Sequence, residues 1–244
     1  MGEEVPRGTL GTVRNASLLL ELLAEGPAWH QLTDLAERSG LALPTVHRLL
    51  RSLAAADLVA QDPDSSRYSL GPEVVRLAER YLERLPILAA VGPYLVELRN
   101  RTKATVTVAT LVRGDVVYVD RVDGDDTGGL FRQGRRTRPA WQTPAGRLLL
   151  GRAGPEVWEQ LGAPQPSRAE LEEWATAPFL VSGPDGVGEG CEVAVPLERG
   201  RGPSPTALAA TGQSPLFTPE ILEADVVPQL QRAADAVSRA VAHA

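Results

Sequence analysis

The spacing of apolar positions divides the chain into a helical N-terminal stretch and a longer stretch where strand-like and helix-like periods alternate. Leu18, Leu19, Leu22 and Leu23 form one stripe at helical spacing and predict a helix over Val13–Ala24, ended by Gly26 and Pro27. Leu32, Leu35 and Ala36 predict a second, short helix to Arg38, stopped by Ser39 and Gly40. A third helix runs from Leu43 to about Ala56, with Pro44 in its first turn and Val46, Leu49, Leu50 and Leu53 as its apolar face. Two short helices around a Gly-containing turn form a helix-turn-helix pattern. Val59–Gln61 and Arg67–Leu70 read as the strands of a hairpin with a polar tip at Asp62–Ser66, where a wing would stand. Gly71 and Pro72 close this domain.

Glu73–Leu85 predicts a connector helix with Val74, Leu77, Ala78, Tyr81 and Leu82 on one side, interrupted by Pro86, and a further helix runs to about Arg101. From Ala104 the period becomes two: Val106 and Val108 alternate with Thr105 and Thr107, Arg113-Gly114-Asp115 turns the chain, and Val116–Val119 returns. Leu130–Gln133 reads as a short strand. Thr143 caps, and Pro144 opens, a helix through Leu150. Pro155–Leu161 and Ser167–Ala175 are short helices, the second with Ser167 and Glu170 spaced as a capping box. Phe179–Val181, Glu192–Leu197 and Thr206–Ala210 read as strands. A last helix starts at Thr218-Pro219-Glu220 and carries Leu222, Val226, Leu230, Ala233, Val237 and Val241, with Pro228 expected to kink or split it. The result is an α+β chain: a winged helix-turn-helix domain over 1–72, a connector helix over 73–86, and an α/β domain over 87–244.

Composition narrows the class. The 244 residues suit two modest domains, and 43% apolar with 23% charged residues is ordinary for a globular protein. No apolar run reaches the roughly 20 residues of a spanning helix. Glu3 and Glu4 lead into no apolar segment, so no signal peptide is read and the expected address is cytoplasmic, away from membranes. Cys191 is the only cysteine, which leaves no intramolecular disulfide. With His30, His47 and His243 far apart, no Cys/His metal module can be written, and no cofactor is expected. The net charge of −6 argues against a broadly basic DNA-binding surface. Any electrostatic footprint on DNA has to come from where the arginines lie.

That placement makes the third helix informative. With Val46, Leu49, Leu50 and Leu53 turned inward, Arg48 and Arg51 point outward, flanked by His47 and Ser52, and Thr45 sits near the N-terminal end that a recognition helix inserts into the major groove. Arginine donates naturally to guanine edges and phosphates. An ordinary amphipathic helix with a solvated basic face carries the same pattern; the hairpin downstream, with Ser65, Ser66 and Arg67 near its tip, favours DNA.

The run Leu41-Ala-Leu-Pro-Thr-Val-His-Arg-Leu-Leu-Arg-Ser-Leu, followed by Asp62-Pro-Asp and Arg67-Tyr-Ser-Leu-Gly-Pro, resembles the IclR family of bacterial transcriptional regulators. The later half agrees in order: Gly114-Asp-Val-Val-Tyr-Val-Asp-Arg-Val, then Gly134 through Leu150, then Val193-Ala-Val-Pro-Leu. The resemblance implies a winged helix joined to a GAF-like effector-binding domain. It implies homodimers or homotetramers on promoter DNA, and a small-molecule effector in a pocket between the sheet and the start of the Pro144 helix. Carried over by position, that pocket involves Pro144, Ala145, Glu192, Ala209 and Thr211, with Trp141 and Thr143 on its border. Free amides at the helix start suit an anion. This chain departs from the family pattern at Glu192, whose charge opposes a carboxylate, and in the Pro/Gly-rich stretch between Gly162 and Gly190, where Ser182-Gly-Pro-Asp replaces an acidic segment. A neutral ligand, a cationic ligand and no ligand all stay open, as does control by a protein partner.

An enzyme is the weaker reading, because the sequence has no P-loop, Gly-x-Ser-x-Gly or dinucleotide fingerprint, and no catalytic residue is assigned. Cys191 reads as a small buried hydrophobe, and Trp158 and Trp174 as packing residues. Arg135, Arg136 and Arg138 form a charge run. Asp123, Asp125 and Asp126 lack calcium-loop spacing.

Overall fold

A computed structural model describes residues 11–125, 137–159, 161, 166–182, 190–197, 205–212 and 217–242. The predicted strand Leu130–Gln133, together with Gly134, Arg135, Arg136, Asp126, His243 and the whole of the 183–189 loop, lies outside the described residues. The chain divides into two compact units, Met1–Tyr81 and Leu82–Ala244.

In the first unit, α1 (Gly11–Ala24), α2 (Leu32–Ser39) and α3 (Leu43–Ala54) pack around Leu19, Leu23, Leu35, Val46, Leu49, Leu50 and Leu53. Gly40 ends α2 in the left-handed conformation (φ 67°) that glycine adopts at little cost. The chain leaves α3 earlier than its apolar pattern suggests, because Asp57 takes a left-handed turn (φ 55°) and the Leu58 amide folds back onto the Leu53 carbonyl. The wing follows as β1 (Val59–Gln61) and β2 (Tyr68–Leu70), paired antiparallel with Gln61 opposite Tyr68. Tyr68 and Val59 close the core. His30, just before α2, exchanges backbone hydrogen bonds with Tyr68 at 2.8 and 2.9 Å and adds a bridge to the wing.

The helix α4 (Glu73–Glu83) crosses the boundary between the units. Pro86 begins α5 (Pro86–Thr102), consistent with a proline's place in a first turn, whereas Pro93 is tolerated within it.

The second unit is built on a six-stranded antiparallel sheet in the order β5-β4-β3-β8-β7-β6. Its strands are β3 (Thr105–Val112), β4 (Asp115–Val122), β5 (Thr137–Pro139), β6 (Leu180–Ser182), β7 (Cys191–Leu197) and β8 (Thr206–Gly212). β5 was not legible as a strand: it pairs along β4 through Thr137 and Arg138, and its apolar content is too low to show a period. Helices cover both faces. Val106, Val108, Val193, Val195, Leu208 and Ala210 meet α5 and the last helix. Ala109, Leu111, Val116, Ala194, Ala207 and Ala209 meet α6 (Pro144–Ala153) and α8 (Arg168–Thr176), with the short α7 (Pro155–Trp158) between those two helices in sequence. The alternation of Val and Thr in β3 therefore marks two buried faces, with Thr105 and Thr107 nearly as buried as the valines.

Thr143 caps α6 by accepting from the Gly146 amide at 3.0 Å, and Ser167 with Glu170 forms the capping box of α8. α6 lies unusually close to its neighbours. A Cβ placed on Gly146 would stand 2.1 Å from the Ala140 carbonyl oxygen, and one on Gly151 would stand 2.4 Å from the Ala175 amide. At the C-terminal end, α9 (Pro219–Ile221) runs into a π turn at Leu222–Val226 and then into α10 (Val227–Ala242). The expected disturbance at Pro228 takes this form: the wider turn precedes a residue that has no amide proton to give and whose ring crowds the carbonyl four residues back.

Candidate functional site

The candidate residues gather in two regions. The first is the outer face of α3 and the adjoining wing. The four-residue apolar stripe of α3 is buried, which leaves His47, Arg48, Arg51 and Ser52 exposed and Thr45 half-buried near the helix start. No side chain caps this N-terminus. Pro44 has no amide proton, and the Thr45 and Val46 amides both donate to the Ala42 carbonyl, at 2.8 and 3.1 Å. Ser52 turns its hydroxyl back onto the Arg48 carbonyl at 3.0 Å, so its donor is already engaged within the helix. Leu43, the first residue of α3, is an exposed large apolar side chain beside Pro44.

At the wing, Ser65, Ser66 and Arg67 are exposed. Their conformation is set by Asp62, whose carboxylate accepts from the Asp64 amide at 3.3 Å, the Ser65 amide at 3.2 Å and the Ser65 hydroxyl. These bonds, led by the Ser65 hydroxyl, hold the Asp62 carboxyl below the usual aspartate range. Ser66 is left-handed (φ 56°) and makes the turn. Sequence reasoning found the wing tip but gave Asp62 no role. An Asp three residues before a Ser at a turn was the available signal.

The second region is the start of α6 against the sheet. Cys191 and Val193 face α5 and α10, so Glu192, on the opposite face, points toward α6. Its Oε1 accepts from the Ala145 amide at 3.2 Å, and its Oε2 accepts from the Tyr118 hydroxyl, also at 3.2 Å. The Thr143 hydroxyl adjoins the same phenol. Burial raises the Glu192 carboxyl above its ordinary value; the Ala145 amide, the Tyr118 hydroxyl and the fields of Arg138 and Arg147 oppose that shift. Burial and the Glu192 charge raise the Tyr118 phenol in turn.

Thr143, Pro144, Ala145, Glu192, Ala209 and Thr211 are all buried here, and Trp141 is half-buried against the same core. Thr211 pairs with Glu192 across β7 and β8, and Ala209 pairs with both Ala194 and Thr107. Arg147 does not ion-pair with Glu192. Its Nε donates to the Trp141 carbonyl at 2.8 Å, and its guanidinium stands 5.6 Å from the centre of the Trp174 ring. Two residues at this site escaped the sequence: Tyr118, 74 positions from its partner, and Thr107, whose buried hydroxyl has no hydrogen-bond partner among the described residues. Contacts this distant in sequence leave no local periodicity to read.

The remaining candidates are structural. Cys191 is buried, and burial raises its thiol. Trp158 donates to the Leu150 carbonyl at 2.6 Å. Asp125 pairs with Arg99 and Lys103, and Asp123 with Arg121. Among the described residues no group of three or more His, Cys, Asp and Glu side chains is arranged to hold a metal ion, and no helix is long and apolar enough to cross a membrane.

Residues 12–63 match the model of the IclR helix-turn-helix domain. The glycerol operon regulatory protein of Streptomyces coelicolor is 30% identical over 138 residues, which are 57% of this chain and 54% of that protein. The chain spans about half the length of the curated relatives it first matches. Among solved structures, an IclR family transcriptional regulator from Brucella abortus superposes with a TM-score of 0.81 at 25% identity, covering 98% of this chain and 96% of that one. An IclR homolog from Microbacterium hydrocarbonoxydans, solved with 4-hydroxybenzoate, shares the fold (TM-score 0.69, 19% identity, 96% and 100% covered).

Proposed function

We propose that this chain, which belongs to the IclR family of transcriptional regulators, binds promoter DNA through α3 and its wing and is switched by a small molecule received at the start of α6. The observation that carries the DNA half is the division of α3 into a buried stripe and an outer face bearing Arg48 and Arg51, beside a wing whose tip is held in shape by Asp62. Thr45, His47 and Arg48 approach base edges, while Arg51, Ser65, Ser66 and Arg67 contact backbone phosphates. The effector half rests on the shared fold and on the group of polar side chains buried between α6 and the sheet. The chain works as a homo-oligomer in the bacterial cytoplasm, since one helix-turn-helix reads few base pairs and paired half-sites supply specificity. Catalysis has no part in this reading.

The test has two arms. Footprinting on the chain's own upstream DNA is expected to show a protected site that an R48A/R51A variant fails to protect. A metabolite screen by thermal shift is expected to yield a stabilising compound that also alters affinity for that site. Stabilising compounds that all leave DNA affinity unchanged would refute effector control.

A further inference from the structure

The start of α6 is a ready acceptor-binding position, because its first amides have no partners within the helix. Here one of those amides, on Ala145, is already taken by Glu192 Oε1. The carboxyl is buried, reaches across from β7, and is steadied on its other oxygen by Tyr118. A second amide, on Gly146, is taken by the Thr143 cap. The strands beneath carry only small side chains at the matching positions: Thr107, Ala194, Ala209 and Thr211. By strand register Thr107 shares the face of Ala209, and thus of Glu192, and its buried hydroxyl has no hydrogen-bond partner among the described residues. A buried hydroxyl left unpaired is costly, which points to an occupant other than protein at this face.

We propose that Glu192 is a tethered occupant of the anion seat at α6, so that this site excludes carboxylates and takes a neutral ligand that donates hydrogen bonds, of the alcohol or amide class. The inference rests on the effector reading above and specifies its ligand class. The two described donors, Ala145 and Tyr118, leave acceptor capacity on Glu192, since a carboxylate offers about four lone-pair sites. Thr107 supplies a further hydroxyl. The fields of Arg138 and Arg147 already act on the Glu192 carboxyl. A second anion would meet Glu192, and a cation would meet the two arginines.

The probe is acetate, a free copy of the Glu192 side-chain terminus, with chloride at equal ionic strength as reference. The full chain is compared as wild type, Glu192→Ala and Glu192→Gln. The alanine variant vacates the seat. Its Tm is expected to rise by about 2–6 °C with acetate, saturating as a bound ligand requires. Wild type and the glutamine variant, in which the seat stays filled, show no acetate-specific rise. Acetate stabilisation of the wild type, or a folded alanine variant indifferent to acetate, overturns the proposal. If Glu192→Ala does not fold in chloride, it is refolded in acetate: recovery there alone supports the proposal, and equal failure in both salts overturns it. These measurements use no DNA. A seat confirmed by acetate, together with operator affinity that no stabilising ligand alters, would keep the seat and refute the regulatory reading.

Discussion

The Tyr118 hydroxyl donates to Glu192 Oε2 at 3.2 Å across a face of the sheet on which Thr107 and Ala209 are too small to intervene. The bond joins β4 to β7 over the two central strands between them. Tyr118→Phe removes one of two donors from a buried carboxyl. The variant is expected to lose about 1–3 kcal/mol of stability, measured by urea unfolding. A loss near zero would mean that solvent replaces the phenol, contrary to the burial described.

The pH dependence of that carboxyl has a definite sign. Burial raises Glu192 above its ordinary value in the folded chain, so the unfolded chain gives up this proton first as pH rises. The carboxyl's contribution to stability is present in full below the ordinary glutamate range and is lost as pH climbs through the raised folded value. Glutamine does not titrate, and its amide oxygen still accepts from Ala145. Glu192→Gln is therefore expected to gain stability relative to wild type as pH rises from about 4 to about 8. Unfolding curves at stepped pH check this; a constant difference, or one that narrows, contradicts it.

On α3, Arg48→Ala and Arg51→Ala are expected to weaken promoter binding while leaving thermal unfolding unchanged, since both side chains are exposed. An arginine that reads a base is worth about 1–3 kcal/mol, and its loss relaxes sequence preference at one position. An arginine on phosphate weakens all sequences alike and lowers the salt dependence of binding by about one unit of slope. Affinity titrations over several salt concentrations separate the two roles.

The connector helix α4 has no buried residue and exposes Val75, Leu77 and Tyr81. Apolar side chains of this size along one helix are expected to be covered by a second copy of the chain. Leu77→Glu with Tyr81→Glu should shift sedimentation at micromolar concentration from oligomer toward monomer. A wild-type chain that is already monomeric there would refute self-association.

The parts of this architecture that were legible share a local cause. Thr143-Pro144, Ser167 with Glu170, and Thr218-Pro219 each write a helix start within four residues, and each appears where it was read. The stripe of α3 and the wing strands were equally local. β5 was missed because Thr137-Arg138-Pro139 has no apolar period and exists as a strand only through its pairing with β4. At the α6 site, the orientation of Glu192 depended on strand register, and one residue of slip would have exchanged it for Cys191 or Val193. Tyr118 and Thr107 belong to that site only because a four-strand span of the sheet brings them there.

The glycines that bring α6 close to its surroundings also restrict how this chain can change over generations. With Gly146 set against the Ala140 backbone and Gly151 against Ala175, neither position admits even a methyl group without moving main chain. The helix is thereby denied the small slides by which packed elements usually adapt to altered neighbours. On the proposal that a ligand is received at the start of α6, new ligand preferences would arise on the strand side, among Thr107, Glu192, Ala209 and Thr211. A saturation library over this domain should show that division: near-invariance at the two glycines, and its richest set of altered but folded variants along the facing strands.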